Sequence, residues 1–252
     1  MYIGKRAFAL AAILWGAALA CTTAKAQGAT VSFHVSLEPQ RPLKQKTTVP
    51  VPLTGANAVV AWLTLTGFSA AAPQHAAVPA HDFVLAQKDK QFIPHLLVIP
   101  TGSRVDFPNM DPFFHNVFSL FDGRRFDLGL YEAGSRRSVR FDHDGVSYIF
   151  CNIHPEMSAV VVSLSTPYYV VANGDGVIVL PGVPRGDYDL RFWSQNVSSV
   201  DAAAVEEHIH VSGGDLHLPP VKLRRTASPL DQHLNKFGEE YKKPDQAPYS
   251  ER

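Results

Sequence analysis

The chain is written in strand-length pieces. Residues 30–36 alternate Val31, Phe33 and Val35 with polar side chains, as a half-buried strand does. Further strands are expected within 53–63, 92–107, 139–141, 146–151, 159–164, 168–171, 177–180, 188–193, 208–211 and 216–223. Turn chemistry divides them: Pro100-Thr101-Gly102, Asn173-Gly174-Asp175-Gly176 and Pro181-Gly182-Val183-Pro184-Arg185-Gly186. Long helix-forming runs are scarce, while Val, Pro and Gly are abundant. The pattern predicts an all-β protein of one large or two small domains in 252 residues. No 20- to 50-residue repeat suggests a solenoid.

Residues 1–26 read as a bacterial secretory signal peptide. Lys5 and Arg6 form a basic start, residues 7–20 an apolar run, and Ala24-Lys25-Ala26 a small-x-small cleavage site before Gln27. The apolar run is short for a membrane span. Lipoprotein processing at Cys21 is a weaker alternative, because Ala18 stands where Leu is preferred. The expected location is the periplasm, without stable membrane insertion. The formal charge is zero, and losing Lys5, Arg6 and Lys25 makes it mildly negative. With no basic stripe, nucleic acid is an unsuitable partner.

Cleavage would also leave Cys151 as the one cysteine of an exported chain. A lone thiol in an oxidising compartment calls for burial, intermolecular pairing or a metal. Cys151 opens Cys-Asn-Ile-His-Pro-Glu-Met, which puts a thiolate, an imidazole and a thioether within seven residues. That donor set suits trigonal copper, with two His and one Cys in plane and a weak thioether on the axis. A buried Cys, a surface His and a gap-filling Met would explain the segment equally simply. Closed zinc sites want more thiolate or imidazole, and an iron–sulfur cluster wants about four cysteines.

Upstream, the chain reads Phe92-x-Pro94-x2-Leu97-x-Ile99-x2-Gly102-x2-Val105-x-Phe107-x-Asn109-x-Asp111-x3-His115. Together with the Cys151 segment, it resembles a cupredoxin, a small blue copper protein of the plastocyanin and amicyanin kind, over residues 83–165. The resemblance implies a Greek-key β-sandwich and a metal site of His115, Cys151, His154 and Met157. The short ligand loop is most similar to that of amicyanin. Asn116 matches a position that ties the two ligand loops by hydrogen bonds, against its plain reading as a turn residue. His154 would be the electron port, within an apolar rim of Pro112, Phe113, Phe114 and Pro155; ordinary core packing is the simpler reading of the two Phe. Asn109 and Asp111 read as turn-formers rather than ligands. His95 shares the strand parity of Leu97 and Ile99, and His208-x-His210 reads as a solvated strand face; neither is expected to bind metal.

A second resemblance covers Asn173-Gly174-Asp175-Gly176-x-Ile178-x-Leu180-x2-Val183-Pro184-x-Gly186-x-Tyr188-x-Leu190-x2-Trp193. It is similar to the end of a carboxypeptidase regulatory-like domain, a small transthyretin-like sandwich, and residues 52–63 look like its start. The expected organisation is a signal peptide at 1–26, N-terminal strands at 27–80, a cupredoxin at 81–165, a regulatory-like sandwich at 166–223 and a disordered or loosely docked tail at 224–252. The cupredoxin would then be inserted into a split sandwich. Strands near Val31 and Val59 lying in the cupredoxin sheets, away from Tyr188, would refute that arrangement.

The expected function is one-electron transfer by a single type 1 copper cycling between Cu(I) and Cu(II). The partners would be redox proteins such as a c-type cytochrome or a periplasmic dehydrogenase, and the protein a monomer without enzymatic activity. A copper chaperone, store or sensor, or an adhesion scaffold, is the alternative. Oxygen-reducing copper chemistry is disfavoured because Cys151 lies between Phe150 and Asn152 rather than between histidines.

Overall fold

The computed structural model describes residues 28–38, 57–66, 82–120, 123–172, 174–228, 230 and 233–241. The expectations for 1–26, including Cys21, for the segments 39–56 and 67–81, and for 242–252 lie outside these residues. Two groups of sheets are built from interleaved parts of the chain.

The first group joins strands from before and after residues 82–164. Strand β1 (Ala29–Glu38) pairs with β14 (Val177–Val183) on one side and with β17 (Leu216–His217) and β18 (Val221–Arg224) on the other. Strand β2 (Val59–Thr66) lies between β13 (Tyr169–Val171) and β15 (Gly186–Ser194), with β16 (Glu207–Val211) beyond β15. Leu65 stands opposite Tyr188, so the strands near Val31 and Val59 do not lie in the sheets of residues 82–164. The alternating side chains Val31, Phe33 and Val35 meet Leu63, Ile178, Leu190 and Ile209 in one core. A short helix α1 (Ser199–Ala203), capped by Ser198, connects β15 to β16.

Residues 82–164 supply the second group. One sheet holds β3 (Asp82–Val84), β7 (Arg104–Pro108) and β10 (Arg136–Arg140). The other runs β6 (Leu96–Pro100), β12 (Ser158–Leu164), β11 (Gly145–Phe150), β8 (His115–Ser119), β9 (Phe126–Tyr131). A small hairpin is made by β4 (Ala86–Lys88) and β5 (Gln91–Ile93).

The apolar run of β12 shows how the groups meet. A strand buried on one face alternates apolar and polar residues, whereas a continuous run implies two buried faces. Ala159 and Val161 enter the core of the second group, while Val160, Val162 and Leu164 enter a separate layer. That layer also takes Phe118, Phe150 and Val60, with Trp62 and Trp193 packed against it. The central strands β12, β11 and β8 are therefore covered on both sides.

Two expectations are corrected. The turn expected at 181–186 is confined to Pro184 and Arg185, because β14 continues through Pro181 and Gly182 to Val183. Two residues there oppose Thr30 alone, a β-bulge in which Gly182 takes a φ of 71°. Pro181 is tolerated because β14 is an edge strand of its sheet. The tail is not loosely docked over residues 233–241, which return to the second group of sheets and bond to it.

Candidate metal centre

Adjacent strands bring the donors to one end of the second group. Strands β8 and β11 are antiparallel neighbours, paired at Phe118 and Phe150. His115 begins β8 and Cys151 follows the end of β11, so they emerge at the same edge. The chain then turns back within six residues. Met157 N–H donates to His154 O at 3.1 Å, and Cys151 N–H to Met157 O at 3.3 Å. His154 is thereby folded over Cys151, and Met157 enters β12.

The ligand atoms of His115, Cys151 and His154 all lie within 4.8 Å of one another. Cys151 Sγ is 3.8 Å from His115 Nδ1 and 3.6 Å from His154 Nδ1, and the two nitrogens are 3.1 Å apart. An ion at ordinary first-row bond lengths holds nitrogen and sulfur about 3.5–3.8 Å apart and two nitrogens about 3.3–3.6 Å apart. Both sulfur separations fall in that range, and the nitrogen pair is shorter by a few tenths of an ångström. Met157, fully buried, shares the core cluster of Cys151. A soft thiolate, two imidazoles and a thioether are the donors expected for copper rather than for a hard cation.

The surroundings prepare each donor. Cys151 is fully buried, and burial pushes its thiol up; backbone N–H groups of Asn116, Ile153 and His154 at the sulfur oppose that shift. Those donors favour the ionised sulfur that a metal requires. Burial also pushes His115 down, outweighing the nearby Asp111 carboxylate, so the ring stays neutral.

Asp111 is the residue that sequence reasoning undervalued. His115 Nε2 donates to Asp111 Oδ2 at 2.8 Å, which fixes the tautomer and leaves the Nδ1 lone pair for a metal. The carboxylate also accepts from Asp89 N–H at 2.6 Å and Lys90 N–H at 3.0 Å. Burial alone would raise Asp111, but these three hydrogen bonds hold it below the usual carboxylate range. The i, i+4 spacing to His115 was the available signal. Asn109 keeps its turn role: its side chain accepts from Asp111 N–H and donates to Phe113 O.

The expected role of Asn116 needs correction. Its side chain donates to Asp127 on β9 at 2.8 Å and does not reach the Cys151 loop. The β8–β9 register shifts between Asn116 and Phe118, and it is the Asn116 backbone N–H that meets the sulfur. Of the rim residues, Phe114 is 48% exposed, and neighbouring Met110 is 61% exposed. Phe113 is half-buried, its ring 5.2 Å from that of His115 and 5.7 Å from that of His154.

The remaining described histidines stay outside the cluster. His95 bonds Ser158 O at 3.1 Å and Gln195 Oε1 at 2.6 Å, joining the two groups of sheets. His208 and His210 pair across the ladder with Asp189 and Asp187.

No protein-family profile and no curated protein matches this chain. Solved structures do. A copper-containing nitrite reductase (NirK) from Thermus scotoductus SA-01 is 23% identical over 34% of this chain, with a TM-score of 0.33. This chain spans 23% of that reductase's length. A purple cupredoxin from Nitrosopumilus maritimus is 24% identical over 33% of this chain and 98% of its own, with a TM-score of 0.29. Amicyanin from Paracoccus versutus is 23% identical over 40% of this chain and 97% of its own, also with a TM-score of 0.29. The chemistry of the site rests on its own donors and distances.

Proposed function

We propose that this protein is an exported, non-enzymatic electron carrier with one type 1 copper site. His115, Cys151 and His154 would form the ligand plane and Met157 the axis. Bound there, copper would supply a one-electron Cu(I)/Cu(II) couple. The observation that carries this reading is the convergence of two Nδ1 atoms on a buried Cys151 Sγ at 3.6 and 3.8 Å.

The chain's own groups fit that task. A carrier should change little between redox states, because rearrangement slows transfer. His115 is held by Asp111, and the Cys151 sulfur by three backbone N–H groups. Burial of His115, Cys151 and Met157 keeps water from the donors. His154 is only half-buried and sits beside Phe113, with exposed Met110, Pro112, Phe114 and Pro155 around that edge. An apolar rim of this kind suits brief docking of a redox protein, such as a c-type cytochrome or a periplasmic dehydrogenase. A chaperone or store needs a metal that exchanges readily, which a largely buried donor set opposes.

Electron exchange with a reduced c-type cytochrome tests this reading. The copper-loaded protein should oxidise the cytochrome in a second-order reaction, and Phe114→Glu should slow it at least tenfold while leaving the absorption spectrum unchanged. No oxidation, or equal rates in the two proteins, would contradict docking at this rim.

A further inference from the structure

We infer that Leu230 and residues 233–241 form a positioning strap for the metal centre, tying the Cys151 loop to the strand that carries His115. The inference rests on the reading of His115, Cys151 and His154 as metal ligands, but it arises from a different set of contacts.

The strap is anchored before it reaches the site. Leu230 is buried in the layer between the two groups of sheets, alongside Phe118 and Phe150. His233 then stacks on Phe150, the residue before the thiolate, with ring centroids 4.2 Å apart and planes at 19°. Next comes a self-closed loop. Asn235 Oδ1 accepts from the N–H groups of Phe237 and Glu239 at 2.9 and 3.0 Å, and Gly238 N–H returns to Asn235 O at 3.0 Å. Such a loop holds its shape through its own hydrogen bonds.

From that loop, contacts run to both ligand segments. Lys236 N–H donates to Asn152 Oδ1 at 2.9 Å, on the residue after Cys151. Its Nζ pairs with Asp127 Oδ2 at 2.7 Å, while Asp127 Oδ1 accepts from Asn116 Nδ2 beside His115. The chain Asn152–Lys236–Asp127–Asn116 thus makes the connection that Asn116 does not make directly. Finally, Tyr241 Oη donates to Cys151 O at 2.8 Å and its ring leans on His233 at 5.3 Å. The peptide that carries the thiolate is therefore fixed from outside the ligand loop.

A hydrogen bond to the Cys151 carbonyl draws electron density from that residue and favours the electron-rich, reduced site. Removing it should lower the reduction potential. Loosening the strap should also admit reagents to the buried sulfur.

The test uses the full chain in two forms. In the metal-free protein, Cys151 is titrated with an aromatic disulfide. The triple variant His233→Ala, Lys236→Ala, Tyr241→Phe should react at least tenfold faster than the parent, and His233→Phe alone, which keeps the stack, should stay within twofold. In the copper form, Tyr241→Phe removes one oxygen and should lower the potential while retaining the thiolate band. Parent-like thiol rates in the triple variant, or a parent-like potential in Tyr241→Phe, would overturn the strap. A parent that never develops the band would overturn the copper reading alone, and the thiol rates would still decide the strap. Should the triple variant fail to fold, Tyr241→Phe carries both measurements.

Discussion

At the scale of single residues, the side chains that converge on Cys151 were legible, and the residues that support them were not. Cys151, His154 and Met157 stand close enough in sequence for their chemistry to be read directly, and the upstream pattern pointed to His115. Replacing Cys151 with Ala should abolish the blue thiolate band in visible spectra. Met157→Ala should keep the copper and shift its potential by voltammetry. Asp111 was hidden because an Asp before Pro also reads as a turn residue, and only the fold shows it beneath His115 Nε2. Asp111→Asn removes the charge that makes the imidazole a stronger donor. Copper retention against a chelator should fall about 10–100-fold, and the potential should rise, because a weaker donor favours Cu(I). Unchanged retention would remove Asp111 from the account.

At the scale of elements, the strands were legible wherever alternation or a doubly buried run marked them, as in β1 and β12. Strand β14 was cut short in the sequence reading, because Pro181-Gly182 is turn chemistry that an edge strand with a bulge can absorb. The polar composition of 233–241 concealed its docking, which runs through hydrogen bonds, an ion pair and one stacked ring rather than a buried apolar face. Elements with two buried faces should be the least tolerant of loss. Phe118 on β8 is fully buried in the layer between the sheet groups. Phe118→Ala should cost about 3–5 kcal/mol in urea unfolding, whereas exposed Val200→Ala on α1 should change stability by less than about 0.5 kcal/mol. Similar losses at both positions would mean that the layer does not bind the two groups.

At the scale of the whole molecule, the fold and the candidate site are coupled, because His115 and Cys151 come from adjacent strands and contact residues distant in sequence. That coupling sets the pH response of the metal-free protein. Burial pushes His115 down, so as pH falls below the ordinary imidazole value of about 6.5 the unfolded chain takes up the proton first and folding weakens. Burial pushes Cys151 up, so above the ordinary thiol value of about 8.5 the unfolded chain loses its proton first and folding weakens again. Urea midpoints should therefore peak between these values, and His115→Phe should flatten the acid side; a profile flat from about pH 5 to 10 would contradict this. The decisive measurement is simpler: add one equivalent of Cu(II) to the metal-free protein and record its visible and electron paramagnetic resonance spectra. An intense blue thiolate-to-copper band with narrow hyperfine splitting is the predicted result. A pale spectrum, or copper lost to a mild chelator, would contradict the type 1 site.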